Sequence, residues 1–218
     1  MAKARFLSRS RRHSRIWLVV PTAFVAVIVA GCEHKPKVDS LMLNDAGMSY
    51  DSVQALKGMN ISPEEIPQVV EIHNAGVSDA TAVELIRIYR SRNQLFNVAD
   101  AVANLAQARL QESAILEIAR LDQLGLSAGE LLAIRLAGLP DSVVIEVARH
   151  HAANQPVLSG PSLAKIKNAG VGNATLLELV RRGVPDSQAP AIIAMRRHRG
   201  TDAEILRHFS GASALSGS

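Results

Sequence analysis

The sequence has few aromatic residues and a single cysteine. Phe, Trp and Tyr make up only 3% of the 218 residues, whereas 48% of the chain is hydrophobic, with Ala, Leu, Ile and Val predominant. A β-sandwich draws heavily on aromatic and β-branched side chains, so this composition favours helices. Cys32 has no second cysteine to pair with, which excludes an internal disulfide bond.

Strand patterns are also missing. No segment alternates apolar and polar residues over six or more positions, and the chain contains no Asn-Gly or Asp-Gly dipeptide to favour a hairpin turn. Because 20% of the residues are charged and nearly half are hydrophobic, the chain is able to bury a sizeable core. The sequence therefore predicts an all-α fold.

Acidic residues are absent from the first 32 residues, which contain six Lys and Arg. Without this segment 18 basic residues remain against 20 acidic ones, a net charge of −2, so the sequence pI of about 9.6 mostly reflects the N-terminus. This balance counts against nucleic acid as the main ligand. A modest basic excess remains in residues 160–218, which hold 8 basic and 4 acidic residues.

The N-terminal segment has the features of an export signal. Residues 1–15 are basic, and the apolar run from Ile16 to Gly31 is sixteen residues long, shorter than the roughly 20 that a membrane-spanning helix needs. Its end, Val29-Ala30-Gly31-Cys32, resembles the lipobox of bacterial lipoproteins. The resemblance implies cleavage between Gly31 and Cys32 and acylation of Cys32, which would anchor the chain to a membrane.

The same resemblance suggests a location and a domain layout. In enterobacterial lipoproteins, an Asp directly after the lipidated cysteine is similar to a signal for retention in the inner membrane. This chain has Glu33 at that position, so the resemblance favours the outer membrane. We expect a signal peptide over residues 1–31, a lipidated N-terminus and tether over 32–42, a helical repeat domain over 43–209 and a flexible tail over 210–218.

The helical domain is punctuated by repeated joints. Asn74-Ala75-Gly76-Val77 returns 94 residues later as Asn168-Ala169-Gly170-Val171. In the first copy we expect Gly76 to end one helix in the left-handed conformation and Ser78 or Asp79 to cap the next. Other glycine joints, at spacings of 45 and 49 residues, predict a repeating unit of two short helix pairs.

Several helix boundaries follow from local signals. Ser62 and Pro63 predict a helix start, and Thr201 with Glu204 has the spacing of a capping box. Glycine positions predict one helix over Asp45–Gly58 and a chain stop at Gly125.

These joints resemble the tandem Ala-Gly-Val-Ser-Asp repeats of bacterial exported proteins and lipoproteins, with weaker copies over most of residues 43–205. This resemblance supports the helical architecture and implies no activity. Residues 60–105 also resemble the helix-hairpin-helix repeats of periplasmic competence DNA receptors, which imply phosphate binding by a Gly-hydrophobic-Gly hairpin at a helix N-terminus.

Gly170-Val171-Gly172 retains both glycines of that hairpin, whereas the first copy has Ser78 at the second position. A helix-ending glycine accounts for the same residues. An anion site is thus an alternative reading of this stretch, and its candidate residues are Lys165, Lys167, Gly170, Gly172, Arg181 and Arg182.

Residue patterns typical of catalysis were not found. His150-His151 is a helix-end pair and the other His residues of the mature chain are isolated, so no spacing suits a metal, and the chain has no Gly-x-Ser-x-Gly or phosphate-loop motif. We expect no catalytic residues, no cofactor and no small-molecule substrate. The leading hypothesis is a non-enzymatic envelope lipoprotein that binds another protein; the alternative is a periplasmic binder of DNA or another anionic polymer.

Overall fold

The computed structural model describes residues 40–126 and 128–210, and their secondary structure is helical throughout, without a strand, so the all-α prediction is confirmed. The signal peptide, Cys32, Ser127 and residues 211–218 lie outside the described residues. A 3-10 turn over Asp186–Gln188 leads into the eleventh helix. The α-helices, in chain order, are α1 (Ser40–Asp45), α2 (Tyr50–Gly58), α3 (Glu65–Asn74), α4 (Asp79–Ser91), α5 (Ala99–Gln107), α6 (Glu112–Arg120), α7 (Ala128–Leu136), α8 (Asp141–Ala152), α9 (Gly160–Asn168), α10 (Asn173–Arg181), α11 (Ala189–Arg197) and α12 (Asp202–His208).

Consecutive helices pack against each other as six pairs, from α1–α2 to α11–α12, and each pair stacks on the next along the chain. The odd-numbered helices pack on one another in chain order and form one row, and the even-numbered helices form a second row. Packing is therefore confined to a pair and its neighbours, which is the arrangement of an α-solenoid. Helix α1, which belongs to the first pair, includes Ser40.

The repeating unit is one helix pair of about thirty residues, so the predicted unit of two pairs with a 45- to 49-residue period is wrong. The residues that cap the even helices are 29 to 33 positions apart; they are Ser49, Ser78, Gln111, Pro140, Gly172 and Thr201. The copy of the Asn-Ala-Gly-Val joint 94 residues downstream is thus three units away.

Each connection between helices contains one residue with positive φ. Gly76, with φ of 87°, ends α3 as predicted, and the Val77 N–H closes the turn on the Ile72 carbonyl at 3.1 Å while its side chain is buried. The eleven such residues of the described connections are Gly47, Asn60, Gly76, Asn93, Arg109, Asp122, Gly138, Asn154, Gly170, Gly183 and Arg199.

Six of these eleven residues are not glycine, which explains the wrong period. Asn and Asp adopt the left-handed conformation more readily than other side chains, so they end helices without a glycine signal. Asp122, with φ of 61°, ends α6, and the stop expected at Gly125 is wrong. The helix expected over Asp45–Gly58 begins only at Tyr50, because Gly47, with positive φ, lies in the connection between α1 and α2. Helix α3 begins at Glu65, two residues after Pro63.

One hydrophobic core runs through the stack, from Leu43 in α1 to Phe209 after α12. It is built almost entirely of aliphatic side chains, and the edge-to-face pair of Tyr89 and Phe96, with ring centroids 5.4 Å apart, is its main aromatic contact. Within the described part of the chain, every helix is too short or too polar to cross a bilayer.

Candidate interaction surfaces

A row of carboxylates links consecutive pairs along the even helices. In four pairs the first residue of the even helix is acidic, and its carboxylate accepts the backbone N–H of the residue that caps the even helix of the preceding pair. We call Asp79, Glu112, Asp141 and Asp202 the carboxylate ladder. The four bonds run from Ser49 to Asp79 (2.7 Å), Ser78 to Glu112 (2.9 Å), Gln111 to Asp141 (3.0 Å) and Gly172 to Asp202 (3.0 Å).

The interruption of the ladder supports this role. The fourth pair caps its even helix with Pro140, which has no N–H to donate, and the corresponding residue of the next pair is the uncharged Asn173. In the sixth pair Thr201 donates its N–H to Glu204 of the same helix at 2.7 Å, and the predicted capping box is confirmed. An acidic residue thus begins an even helix where the capping residue of the preceding pair has a backbone N–H that needs an acceptor.

Each ladder carboxylate sits at a helix N-terminus, where backbone N–H groups and the helix dipole favour negative charge. Burial alone would raise the pKa of Asp79, but hydrogen bonds from Ser49 and the nearby His73 outweigh it and lower the pKa. Burial opposes the same shift at Glu112, where hydrogen bonds from Ser78 and Thr81 lower the pKa. Asp79 and Glu112 in their ionised form therefore stabilise the stack.

We expect acid to destabilise the array through these two groups. Their pKa values in the folded chain lie below the ordinary values of 3.8 for Asp79 and 4.5 for Glu112, so the stabilisation is complete above those values and is lost as the pH falls through and below them. Urea unfolding across this acidic range measures the slope. Asp79→Asn removes one titrating group and should make the free energy of unfolding fall less steeply with acid; an unchanged slope would contradict the assignment.

The Gly170-Val171-Gly172 hairpin is the joint of the fifth pair, and its donors are already used. The Gly172 N–H donates to Asp202, and the Gly170 carbonyl accepts from the Arg196 guanidinium at 2.6 Å. The N–H groups of Gly170 and Val171 bond to carbonyls of α9. A nucleic-acid phosphate would have to displace the carboxylate of Asp202 to bind as the helix-hairpin-helix resemblance implies.

The basic candidates around this hairpin are distributed over different contacts. The Lys167 ammonium bonds to the Asn173 side chain, and Arg182 bonds to the Glu178 carboxylate at 2.8 Å and the Leu206 carbonyl at 2.6 Å. Arg181 is exposed at the end of α10. Lys165 is exposed and lines a shallow cleft between α9 and α11, whose other residues are Asn168, Ala169, Ile193 and Arg197.

Arginines satisfy carbonyls at helix C-termini of neighbouring pairs, which complements the ladder at the N-termini. Arg135 donates to the Ala108 and Arg109 carbonyls at 3.1 and 2.9 Å, and Arg92 does the same at Ala119 and Arg120. Arg196 belongs to the densest basic run of the sequence, and its contacts with Gly170 identify a structural role for that side chain.

A buried ionic cluster is centred on Glu65, and it was not predicted from the sequence. The carboxylate is only 1% exposed; it accepts the N–H groups of Ser62 at 2.7 Å and Phe96 at 2.9 Å, and it forms an ion pair with Arg90. Arg90 also donates to the Asn60 carbonyl at 3.1 Å. One carboxylate thus joins the start of α3 to the end of α4 and the segment before α5.

Two of the described histidines contact carboxylates. His73 pairs with Asp79 at 2.9 Å and His151 with Glu130 at 3.2 Å. Among residues 40–126 and 128–210, no three His, Cys, Asp or Glu side chains converge in a way that would hold a metal ion.

One cleft with an exposed apolar rim lies where the second, third and fourth pairs meet. It has a volume of about 410 Å³, and Leu95, which is 50% exposed, lies in its wall. Tyr89 forms part of the lining, and burial raises the pKa of its hydroxyl to about 12, so the group stays neutral. The remaining lining residues are Gln94, Asn97, Val98, Asp122 and Gly125.

No protein-family model matches the chain, and none of the curated proteins is similar enough to count as a relative.

Proposed function

We propose that this protein is a non-enzymatic lipoprotein of the bacterial cell envelope, in which the helical array binds another envelope protein. The cleft at Leu95 is the observation that carries the binding role. The connection from the second to the third pair, with Gln94 to Val98, and the connection from the third to the fourth, with Asp122 and Gly125, line it together, so the cleft depends on the stacking of the pairs. Surfaces that span adjacent units are the ones by which α-solenoids bind their partners.

The anchoring part of the proposal comes from Val29-Ala30-Gly31-Cys32. Acylation of Cys32 would hold the array at a membrane, and two or three acyl chains bind far more firmly than one. Glu33 after the cysteine favours the outer membrane, with the array facing the periplasm.

Two comparisons test the proposal in cells that export the full chain. Cys32→Ala should move the protein from the membrane fraction to the soluble fraction, and mass spectrometry should find lipid on Cys32 of the wild type only. Unchanged membrane association of the variant together with an unmodified Cys32 would contradict the anchoring.

The binding role is tested by site-specific photo-crosslinking. A photoreactive residue at Asn97, in the wall of the cleft, should form one discrete crosslinked product with an envelope protein, whereas the same residue at Asn104, exposed on the odd row, should not. Leu95→Glu should abolish the product at Asn97 without changing the helix content, because Leu95 is half exposed. A product that forms equally at both positions, or that survives Leu95→Glu, would exclude this cleft as the binding surface.

A further inference from the structure

The first helix pair exposes three large apolar side chains, whereas the rest of the described chain exposes two, Leu136 at the end of α7 and Leu95 before α5. Leu41 is 69% exposed, Met42 44% and Tyr50 74%, and these three side chains lie within eleven residues of one another. The end units of a solenoid normally have a polar outer face, because no further unit covers them. Apolar residues on the surface of an end unit indicate a contact with another protein or with a membrane.

The register of the repeats shows that Tyr50 replaces a polar residue, and that Met42 occupies a position that is polar in three later pairs and alanine in the other two. Tyr50 is the first residue of α2, the position at which later even helices have the ladder carboxylates or Asn173. The turn that ends α1 is closed by a hydrogen bond to the Leu43 carbonyl, and Met42 is the residue directly before Leu43. The same position in later odd helices is occupied by Glu71, Asn104, Ala133, Lys165 and Ala194.

The equivalent position of Tyr50 and Asp79 also shows on which side of its pair Tyr50 lies. Asp79 at the same position bonds to Ser49 of the preceding pair, so first residues of even helices lie beside the preceding unit. No described unit precedes α1–α2, which leaves Tyr50 at the N-terminal end of the array. Leu41 corresponds to Val70 and Ala103, which are partly or fully buried in later pairs.

The position along the chain identifies what covers this surface. Ser40 follows Cys32 by eight residues, and a chain of that length spans at most about 30 Å when fully extended, so a lipid attached to Cys32 would tether α1 close to the membrane. Tyr combines an apolar ring with a polar hydroxyl and is enriched at membrane–water interfaces. Leu and Met provide the apolar area for a shallow contact with the headgroup region.

We infer that Leu41, Met42 and Tyr50 form a membrane-contacting surface, which holds the first helix pair on the lipid bilayer to which Cys32 is attached. This inference rests on the anchoring proposed above. The acyl chains supply attachment, and the apolar surface supplies orientation, because it makes the N-terminal end of the stack face the membrane and directs the later pairs towards the periplasm.

The experiment uses the mature lipidated protein in vesicles of phosphatidylethanolamine and phosphatidylglycerol. Acylation blocks the thiol of Cys32, so Met42→Cys and Tyr50→Cys each provide a single site for an environment-sensitive fluorophore. Both probes should shift to shorter wavelength and lose most of their emission when headgroup-region spin-labelled lipid is included. Asn104→Cys, at the position equivalent to Met42 in the third pair, is the matched control and should show neither change.

Vesicle flotation in the same samples separates the two claims. Protein that floats with the vesicles but shows equal emission at positions 42, 50 and 104 would overturn the membrane-contacting surface and leave the anchoring intact. A shifted probe that spin-labelled lipid does not quench would assign the surface to a protein, such as a second copy of the chain, and would also overturn the inference. Protein that neither floats nor carries lipid on Cys32 would overturn the inference and the anchoring together.

Discussion

Replacement of Gly160 by Ala is expected to destabilise the array by about 3 kcal/mol, because it inserts a methyl group where two backbones meet. A Cβ at this position would lie 2.1 Å from the Glu130 carbonyl oxygen and 2.9 Å from its carbonyl carbon. Both are backbone atoms of α7, so no side-chain rotation relieves the clash. Helices α7 and α9 would have to separate, and the buried area between the fourth and fifth pairs would fall.

Gly129→Ala is the matched control for this substitution. Gly129 lies one residue before Glu130 in the same helix, and no atom beyond its own surroundings lies within 4 Å of the position that its Cβ would take. Alanine is the better helix former by roughly 1 kcal/mol, so this variant should be unchanged or slightly stabilised. Urea unfolding followed by far-ultraviolet circular dichroism compares the two, and equal midpoints would show that the close approach of α9 to α7 is not a constraint.

Replacement of Glu65 by Ala is expected to cost about 3 kcal/mol, at the lower end of the range for breaking a buried ion pair. The lower end applies because Arg90 remains 30% exposed and its guanidinium can turn towards water. The N–H groups of Ser62 and Phe96 would lose their acceptor, and the Phe96 donor is buried. Pairing between the second and third units should weaken most.

Two neighbouring substitutions separate the ionic cluster from helix effects. Glu64→Ala removes an exposed carboxylate one position earlier and should change the free energy of unfolding by less than about 0.5 kcal/mol. Glu65→Gln keeps an acceptor oxygen for one N–H but loses the charge, so its effect should fall between the two Ala variants. If Glu65→Ala and Glu64→Ala have equal unfolding midpoints in urea, the cluster contributes nothing to stability.

The carboxylate ladder consists of hydrogen bonds between residues about thirty positions apart, and such bonds are difficult to predict from the sequence. Ser78 or Asp79 was expected to cap α4, and Ser78 does so by accepting the Thr81 N–H. Its own N–H bonds to Glu112, 34 residues away, and that partner has no local signal. The spacing of the ladder residues becomes informative only once the thirty-residue unit is known, and the glycine joints had suggested a longer one.

The sequence by itself determined the helical class, the helix end at Gly76 with the start of α4 directly after it, and the capping box at Thr201. These features depend on residues within about four positions of one another, such as a capping side chain and the N–H that it accepts, so their signals are local. The lipobox at Cys32 is local in the same sense, and it remains the basis of the proposed anchoring.

The tertiary structure decided which helices stack and which polar groups meet. The Glu65–Arg90 cluster, the approach of Gly160 to Glu130 and the carboxylate ladder all join residues 25 to 34 positions apart. Such contacts depend on where each intervening helix ends. Some helices end at a glycine such as Gly76, which the sequence reveals, but others end at a residue such as Asp122, which has no glycine signal. These residues come within bonding distance only when neighbouring pairs stack, because each of these contacts joins positions about one repeating unit apart.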